Sequence, residues 1–138
     1  MNKLYFVISL FFICTNILAQ NEIPSRVEFD NFMEVTVKQL NEKMSGSKID
    51  EGTTWKVATY NKNKSLFTYF YISTVLTDFN INKLNDGQVS KMKKYYVQHT
   101  CSSTGRYMKQ YNIKVAHIVE DKKTGKVFFT VTVSHADC

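Results

Sequence analysis

The fold is decided by residues 113–133, which read IKVAHIVEDKKTGKVFFTVTV. Apolar residues recur at every second position on both sides of a polar centre, and this period is typical of half-buried strands. One face of the first half carries Val115, His117 and Val119, and one face of the second half carries Val127, Phe129, Val131 and Val133. Gly125 closes the polar centre, where a tight connection needs a residue of positive φ. The stretch therefore predicts a β-hairpin.

Two cysteines, Cys101 and Cys138, frame this hairpin. In an oxidising compartment outside the cytosol the two would form a disulfide, which would join the end of the hairpin to the preceding helical region. The alternative is a zinc site, because His99 and His135 lie near the two cysteines and two cysteines with two histidines form a zinc ligand set. The spacing departs from the zinc-finger pairings. We therefore predict a Cys101–Cys138 disulfide and no metal.

The first nineteen residues predict a secretory signal peptide. Lys3 supplies a positive charge, an apolar run extends from Leu4 to Ile13, and Ala19 provides a small residue at the exit. The run is too short for a membrane anchor, which needs about 20 residues. A lipid-modified Cys14 is disfavoured because Phe12-Ile13 precedes it. We expect an exported protein, periplasmic or secreted, with a single domain over residues 20–138.

Helical periodicity appears at two places before the hairpin. Ser25 and Glu28 form a capping-box pattern, and an apolar stripe then predicts a helix over residues 25–45. A second, basic helix carries its apolar side at Val89, Met92 and Tyr96, with Lys91, Lys93 and Lys94 on the rest of its surface. The run Ser102-Ser103-Thr104 resembles a helix cap, so we predict a separate short helix from Arg106 to Tyr111.

Two further strands are predicted between the helices, from Thr53 to Tyr60 and from Ser65 to Thr74. In the second strand, Leu66, Thr68, Phe70 and Ile72 share one face, and Phe67, Tyr69 and Tyr71 share the other. One face must meet the helices, and we expect the three-aromatic face to remain available. The element order is helix, two strands, helix, short helix, two strands. It predicts an α+β two-layer sandwich with helices on a four-stranded, mostly antiparallel sheet.

Several loose motifs span most of the chain beyond the signal peptide. They are the aromatic-x-aromatic run Tyr69-Phe70-Tyr71, Cys101 with its following helix, the closing hairpin and the final Asp137-Cys138. In these the chain resembles a group of small exported bacterial α+β proteins and, more distantly, the pilotin-type domains of secretion systems. The resemblance implies a binding domain of an export compartment without catalytic residues, and it assigns no functional site.

Composition restricts the partners. The chain has 18 basic and 12 acidic residues, a formal net charge of +6, and Arg26 and Arg106 are its only arginines. Nucleic-acid readers depend on arginine, so lysine dominance points instead to an anionic surface or an acidic partner. Ser102 and Ser103 near His99 lack the framing of a nucleophile elbow, and the glycines are isolated. His117 on an apolar strand face is typical of a structural histidine.

These observations favour a non-enzymatic domain, without a cofactor, that binds a protein or envelope partner as a secretion accessory or as an inhibitor or immunity-like protein. The predicted binding residues are Phe67, Tyr69, Tyr71, Lys91, Lys93 and Lys94, because tyrosine-rich faces bordered by cations suit interfaces. Two alternatives stay open: a small hydrolase or zinc-dependent protein using His99, Cys101, His135 and Cys138, and a binder of anionic membrane surfaces through the basic helix. The sequence does not indicate the oligomeric state.

Overall fold

A computed structural model describes residues 23–74 and 85–138. Its helices and strands are α1 (Arg26–Met44), β1 (Thr53–Asn61), β2 (Leu66–Ser73), α2 (Asp86–Tyr111), β3 (Lys114–Asp121) and β4 (Val127–Val133), with 3-10 turns at Lys62–Lys64 and His135–Asp137. The predicted signal peptide, residues 1–19, lies outside the described residues. No described helix combines the length and apolar character that a membrane crossing requires.

The four strands form one sheet in the order β1-β2-β3-β4. The β1–β2 and β3–β4 pairs are antiparallel, whereas the central β2–β3 pair is parallel. The parallel pair follows from the connection, because α2 lies between the two strands and parallel neighbours need such a crossover. The predicted two-layer α+β fold on a mostly antiparallel sheet is confirmed.

Helix α1 confirms the helix predicted over residues 25–45. The Ser25 hydroxyl accepts a hydrogen bond from the Glu28 N–H, and the Glu28 carboxylate accepts one from the Ser25 N–H at 2.7 Å. These contacts satisfy two donors at the start of the helix. The apolar stripe is buried against the sheet through Phe29, Met33 and Leu40. Gly46, with φ of 68°, follows the last turn, where a left-handed residue ends many helices.

Helix α2 corrects the predicted break between a basic helix and a short helix. It runs without interruption for 26 residues. The Ser103 hydroxyl donates to the carbonyl of His99 at 2.8 Å, and the Thr104 hydroxyl donates to that of Thr100 at 2.8 Å. These hydroxyls thus bond backward to their own helix instead of capping a new one, which is the competing use of serine and threonine inside helices.

The hairpin of β3 and β4 is confirmed, and Asp121 shapes its connection. The Asp121 carboxylate accepts hydrogen bonds from the N–H groups of Lys123 and Thr124, at 3.1 and 3.2 Å. The N–H of Gly125 donates to the Asp121 carbonyl at 2.8 Å, and Gly125 has the predicted positive φ, 68°. These contacts lower the pKa of Asp121, chiefly through the hydrogen bond from the Thr124 hydroxyl.

The predicted disulfide between Cys101 and Cys138 is present, with 5.4 Å between the Cα atoms. It joins the chain end after β4 to the middle of α2, not to the close of the helix as the predicted break implied. At the other end of the helical layer, Arg26 donates to the Tyr111 carbonyl at 2.7 Å and to the Ser65 hydroxyl at 2.8 Å. The two devices fasten α2 to the sheet at its middle and at its end.

Candidate functional site

The three aromatic residues predicted to bind a partner lie beneath the helices, so the expectation that their face remains available is wrong. Phe67 is 1 % exposed and Tyr71 is 7 % exposed. Tyr69 is half-buried and packs against the same core. Trp55 of β1 meets the rings of Tyr69 and Tyr71 edge-on, at centroid distances of 5.5 and 5.9 Å. These rings therefore form the interior of the domain, where they stabilise the contact between layers.

His117 lies at the centre of this aromatic interior. Its Nε2 atom is 2.8 Å from the Thr100 hydroxyl of α2, and its Nδ1 atom is 3.3 Å from the Tyr71 hydroxyl. Burial lowers the pKa of His117 to about 3, with a smaller contribution from His99. The ring is therefore neutral near pH 7 and has a hydrogen-bonding group at each nitrogen. The structure places it as a connection between β3 and α2.

The structure does not support the alternative of a zinc site formed by His99, Cys101, His135 and Cys138. Cys101 and Cys138 use their sulfur atoms in the bond to each other. His135 is exposed in the 3-10 turn that follows β4, and His99 contacts the ring of Tyr95 on α2. Within residues 23–74 and 85–138, no three or more His, Cys, Asp or Glu side chains are grouped closely enough to hold a metal ion.

The serines of the hydrolase alternative face their own helix. The hydroxyls of Ser102 and Ser103 both donate to the carbonyl of His99, at 3.0 and 2.8 Å. A nucleophilic serine instead needs a base that accepts its proton and a third group that orients the base. The observed hydroxyl contacts are with backbone carbonyls, which cannot act as that base.

The three predicted lysines lie exposed on the first half of α2. Lys91, Lys93 and Lys94 therefore remain accessible to an anionic partner, and their role in binding stays a prediction. The aromatics with which they were grouped are under the helical layer. The predicted tyrosines and lysines therefore do not form one continuous surface.

The other face of the sheet is the candidate binding surface, and we call it the helix-free face. Both described helices pack on the opposite side, over Trp55, Phe67 and Val119 among others. Across the centre of the helix-free face, Val57, Phe70 and Ile118 stand side by side on three adjacent strands, because Val57 pairs with Phe70 and Phe70 pairs with Ile118. All three are half-buried, and residues paired in this way share one face.

Polar and small residues border this apolar row. On one side, threonines and an alanine form a continuous paired row: Thr59, Thr68, Ala116 and Thr132. On the other side, Ile72 pairs with Glu120, whose carboxylate accepts a hydrogen bond from Lys56 of β1 at 2.5 Å. Thr68 and Ala116 are buried, so the accessible polar border consists of Thr59, Thr132 and the Lys56–Glu120 pair. An apolar centre with such a border is the usual anatomy of a protein interface.

Sequence reasoning placed Phe70 on the correct strand face but assigned that face to the interior, and it did not select Val57 or Ile118. Both faces of β2 are apolar, so alternation alone could not decide which face the helices cover. Strand β3 did contain a signal for which face is covered. His117 shares its face with valines, whereas Ile118 shares the other face with the charged Lys114 and Glu120.

No protein-family model matches the sequence, and no curated protein matches it. Two solved structures share the fold. A Pseudomonas aeruginosa protein described as secreted aligns with a TM-score of 0.65 at 13% identity, over 85% of this chain and 99% of that one. The pilotin of the Vibrio vulnificus type 2 secretion system aligns with a TM-score of 0.54 at 12% identity, over 79% of this chain and 94% of that one. The resemblance inferred from the sequence is confirmed at the level of the fold.

Proposed function

We propose that this protein is an exported, non-enzymatic domain that binds a protein partner through the helix-free face, as an accessory of secretion. The observation that carries the proposal is the row of Val57, Phe70 and Ile118, which places partly exposed apolar surface at the centre of a face that no described helix covers. Burying this surface against a partner would be favourable by about 25 cal/mol for each Å² removed from water.

The environment of the reactive side chains supports binding over catalysis. His117 is buried and neutral, the two sulfurs are joined, and the hydroxyls of Ser102 and Ser103 are used by the helix backbone. The shared fold with a secretion-system pilotin and with a protein described as secreted supports the compartment and the class of partner. The disulfide is consistent with an oxidising compartment. Periplasmic or extracellular residence is therefore part of the proposal.

A photo-crosslinking amino acid at position 70 tests the proposal in cells that export the full chain. The matched control carries the same crosslinker at position 35, because Val35 is an apolar residue exposed by 54% on α1. We expect position 70 to capture one envelope or secreted protein that position 35 does not capture, and we expect the purified pair to bind. Equal capture from both positions, or no capture from position 70, would contradict the proposal.

A further inference from the structure

The two edges of the sheet differ in how their backbone groups are satisfied. The strand order makes β1 and β4 the edge strands. An edge strand carries a row of outward N–H and C=O groups that can pair with another chain, and proteins commonly cover or blunt it. The hydrogen-bond partners of these outward groups therefore show which edge can pair with another strand.

The β1 edge is closed by its own chain. The side-chain amide of Asn41, on α1, accepts from the Ala58 N–H at 2.7 Å and donates to the Ala58 carbonyl at 2.9 Å. The Trp55 N–H donates to the carbonyl of Ser47 at 2.9 Å, and the Thr53 carbonyl accepts from Ile49 at 2.8 Å. An asparagine side chain and the segment after α1 thus occupy the positions of a fifth strand.

The register identifies the outward groups of β4. Lys114 donates its N–H to the Ser65 carbonyl at 2.8 Å, so Lys114 and every second residue after it direct their backbone groups toward β2. The alternate residues of β3, among them Val115 and His117, direct theirs toward β4, where they pair with Val133 and Val131. The alternate residues of β4, Thr130 and Thr132, therefore direct their N–H and C=O groups away from the sheet.

These outward groups of β4 have no hydrogen-bond partner among residues 23–74 and 85–138. Thr130 and Thr132 are both exposed. The strand reads VFFTVTV and contains no charge, proline or glycine that would blunt the edge. A bulge at Phe128 lies near its start, and from Phe129 to Val133 the strand pairs with β3 in regular register. The open edge ends at Ser134, whose N–H donates to Asp137 at 2.7 Å.

We propose that β4 pairs antiparallel with β4 of a second copy of this chain, about a twofold axis at Val131. In this register Thr130 faces Thr132 of the second copy, and each such pair exchanges two backbone hydrogen bonds. The facing side chains are threonines, a favourable cross-strand pair, and no like charges oppose each other along the strand. Each copy carries Lys122 and Lys123 in its β3–β4 connection. In the antiparallel pair, the connections of the two copies lie at opposite ends.

The closed β1 edge limits this assembly to two chains. A twofold contact uses the same strand on both copies, and the resulting eight-stranded sheet ends at β1 on each side. Because Asn41 and the segment after α1 already pair with β1, no further copy can add there. The proposal thus predicts a discrete dimer and not a fibre.

Sedimentation equilibrium of the full exported protein across a concentration series tests the dimer. Thr132→Pro removes an outward N–H that β3 does not use, and proline is tolerated at such edge positions; Thr130→Lys places a charge at the edge. Thr59→Lys is the control, since Thr59 is an exposed threonine on the opposite edge strand. We expect the wild type and the control to be dimeric and both β4 variants to be folded monomers.

Amide hydrogen exchange locates the contact. The amides of Thr130 and Thr132 are expected to lose protection when the dimer is diluted to monomer, whereas the Val131 amide, bonded to β3, keeps its protection. A wild type that stays monomeric at every concentration would overturn the proposal. So would a dimer that survives in both β4 variants, or protection at Thr130 and Thr132 that does not change on dilution.

Discussion

Between pH 7 and pH 5, acid should destabilise this domain through His117. The imidazole is 7 % exposed, and its two nitrogens meet the hydroxyls of Thr100 and Tyr71. Desolvation disfavours the charged ring, so the pKa is lowered from 6.5 to about 3 on folding. Above pH 6.5 the ring is neutral in both states and contributes no pH dependence. Below pH 6.5 the unfolded chain binds a proton that the folded chain refuses, so stability falls as the pH falls.

The two pKa values determine the size of the effect. Between pH 6.5 and pH 3 the free energy of unfolding should fall by about 1.4 kcal/mol per pH unit, approaching about 5 kcal/mol in total. From pH 7 to pH 5 the loss should be about 2 kcal/mol. This upper window is the useful one, because carboxylates such as Asp121, whose pKa is lowered by its hydrogen bonds, titrate below it. A loss of this size is a large part of the stability of a small domain.

Urea unfolding at pH 7, 6 and 5 measures the effect. The variant His117→Gln removes the titrating ring, and we expect it to be less stable at pH 7 but to lose the fall of about 2 kcal/mol between pH 7 and pH 5. His135→Gln replaces an exposed histidine and is expected to keep the wild-type fall. If His117→Gln retained the wild-type pH dependence, the account of a buried neutral histidine would be refuted.

Three further stability predictions concern the disulfide, the Arg26 contacts and the sheet faces, each measured by denaturant unfolding at pH 7. Reduction of the Cys101–Cys138 bond, which joins residues 37 apart in sequence, should lower the free energy of unfolding by about 4 kcal/mol, and a change below about 1 kcal/mol would contradict it. Arg26→Lys should lower the free energy of unfolding by about 1–3 kcal/mol, because a lysine ammonium cannot reproduce the guanidinium hydrogen bonds to the Tyr111 carbonyl and the Ser65 hydroxyl. An unchanged denaturation midpoint would argue against this. Phe67→Ala should cost about 3–5 kcal/mol and Phe70→Ala clearly less; equal costs would mean that the assignment of the two faces is wrong.

Several elements were predicted correctly because local patterns encode them. The capping box at Ser25, the hairpin closed at Gly125 and the pairing of Cys101 with Cys138 were predicted from local patterns, and the structure confirms them. The continuous helix α2 was missed for the same reason. Serine and threonine hydroxyls can cap a new helix or bond backward within an existing one, and the run from Ser102 to Thr104 does not distinguish these uses.

The expectation of which face of β2 is covered was wrong, because that depends on tertiary contacts. Strand β2 offers aromatic rings on one face and Phe70 with aliphatic neighbours on the other, and either face could meet a helix. The contacts that decide between the faces come from residues far away in sequence. Trp55 of β1 packs against Tyr69. The Thr100 hydroxyl of α2 contacts His117, whose ring stacks with Tyr69 and Tyr71. Periodicity within one strand contains no information about them.

The central claim, that a protein partner contacts the helix-free face, is tested most directly by affinity. Isothermal titration of the captured partner should compare the wild type with Phe70→Asp and with Val35→Asp, after unfolding measurements show that both variants are folded. We predict that Phe70→Asp weakens binding by at least about tenfold, as expected for a residue at the centre of an interface, and that Val35→Asp leaves the affinity unchanged. Equal affinity of Phe70→Asp and the wild type would contradict the claim.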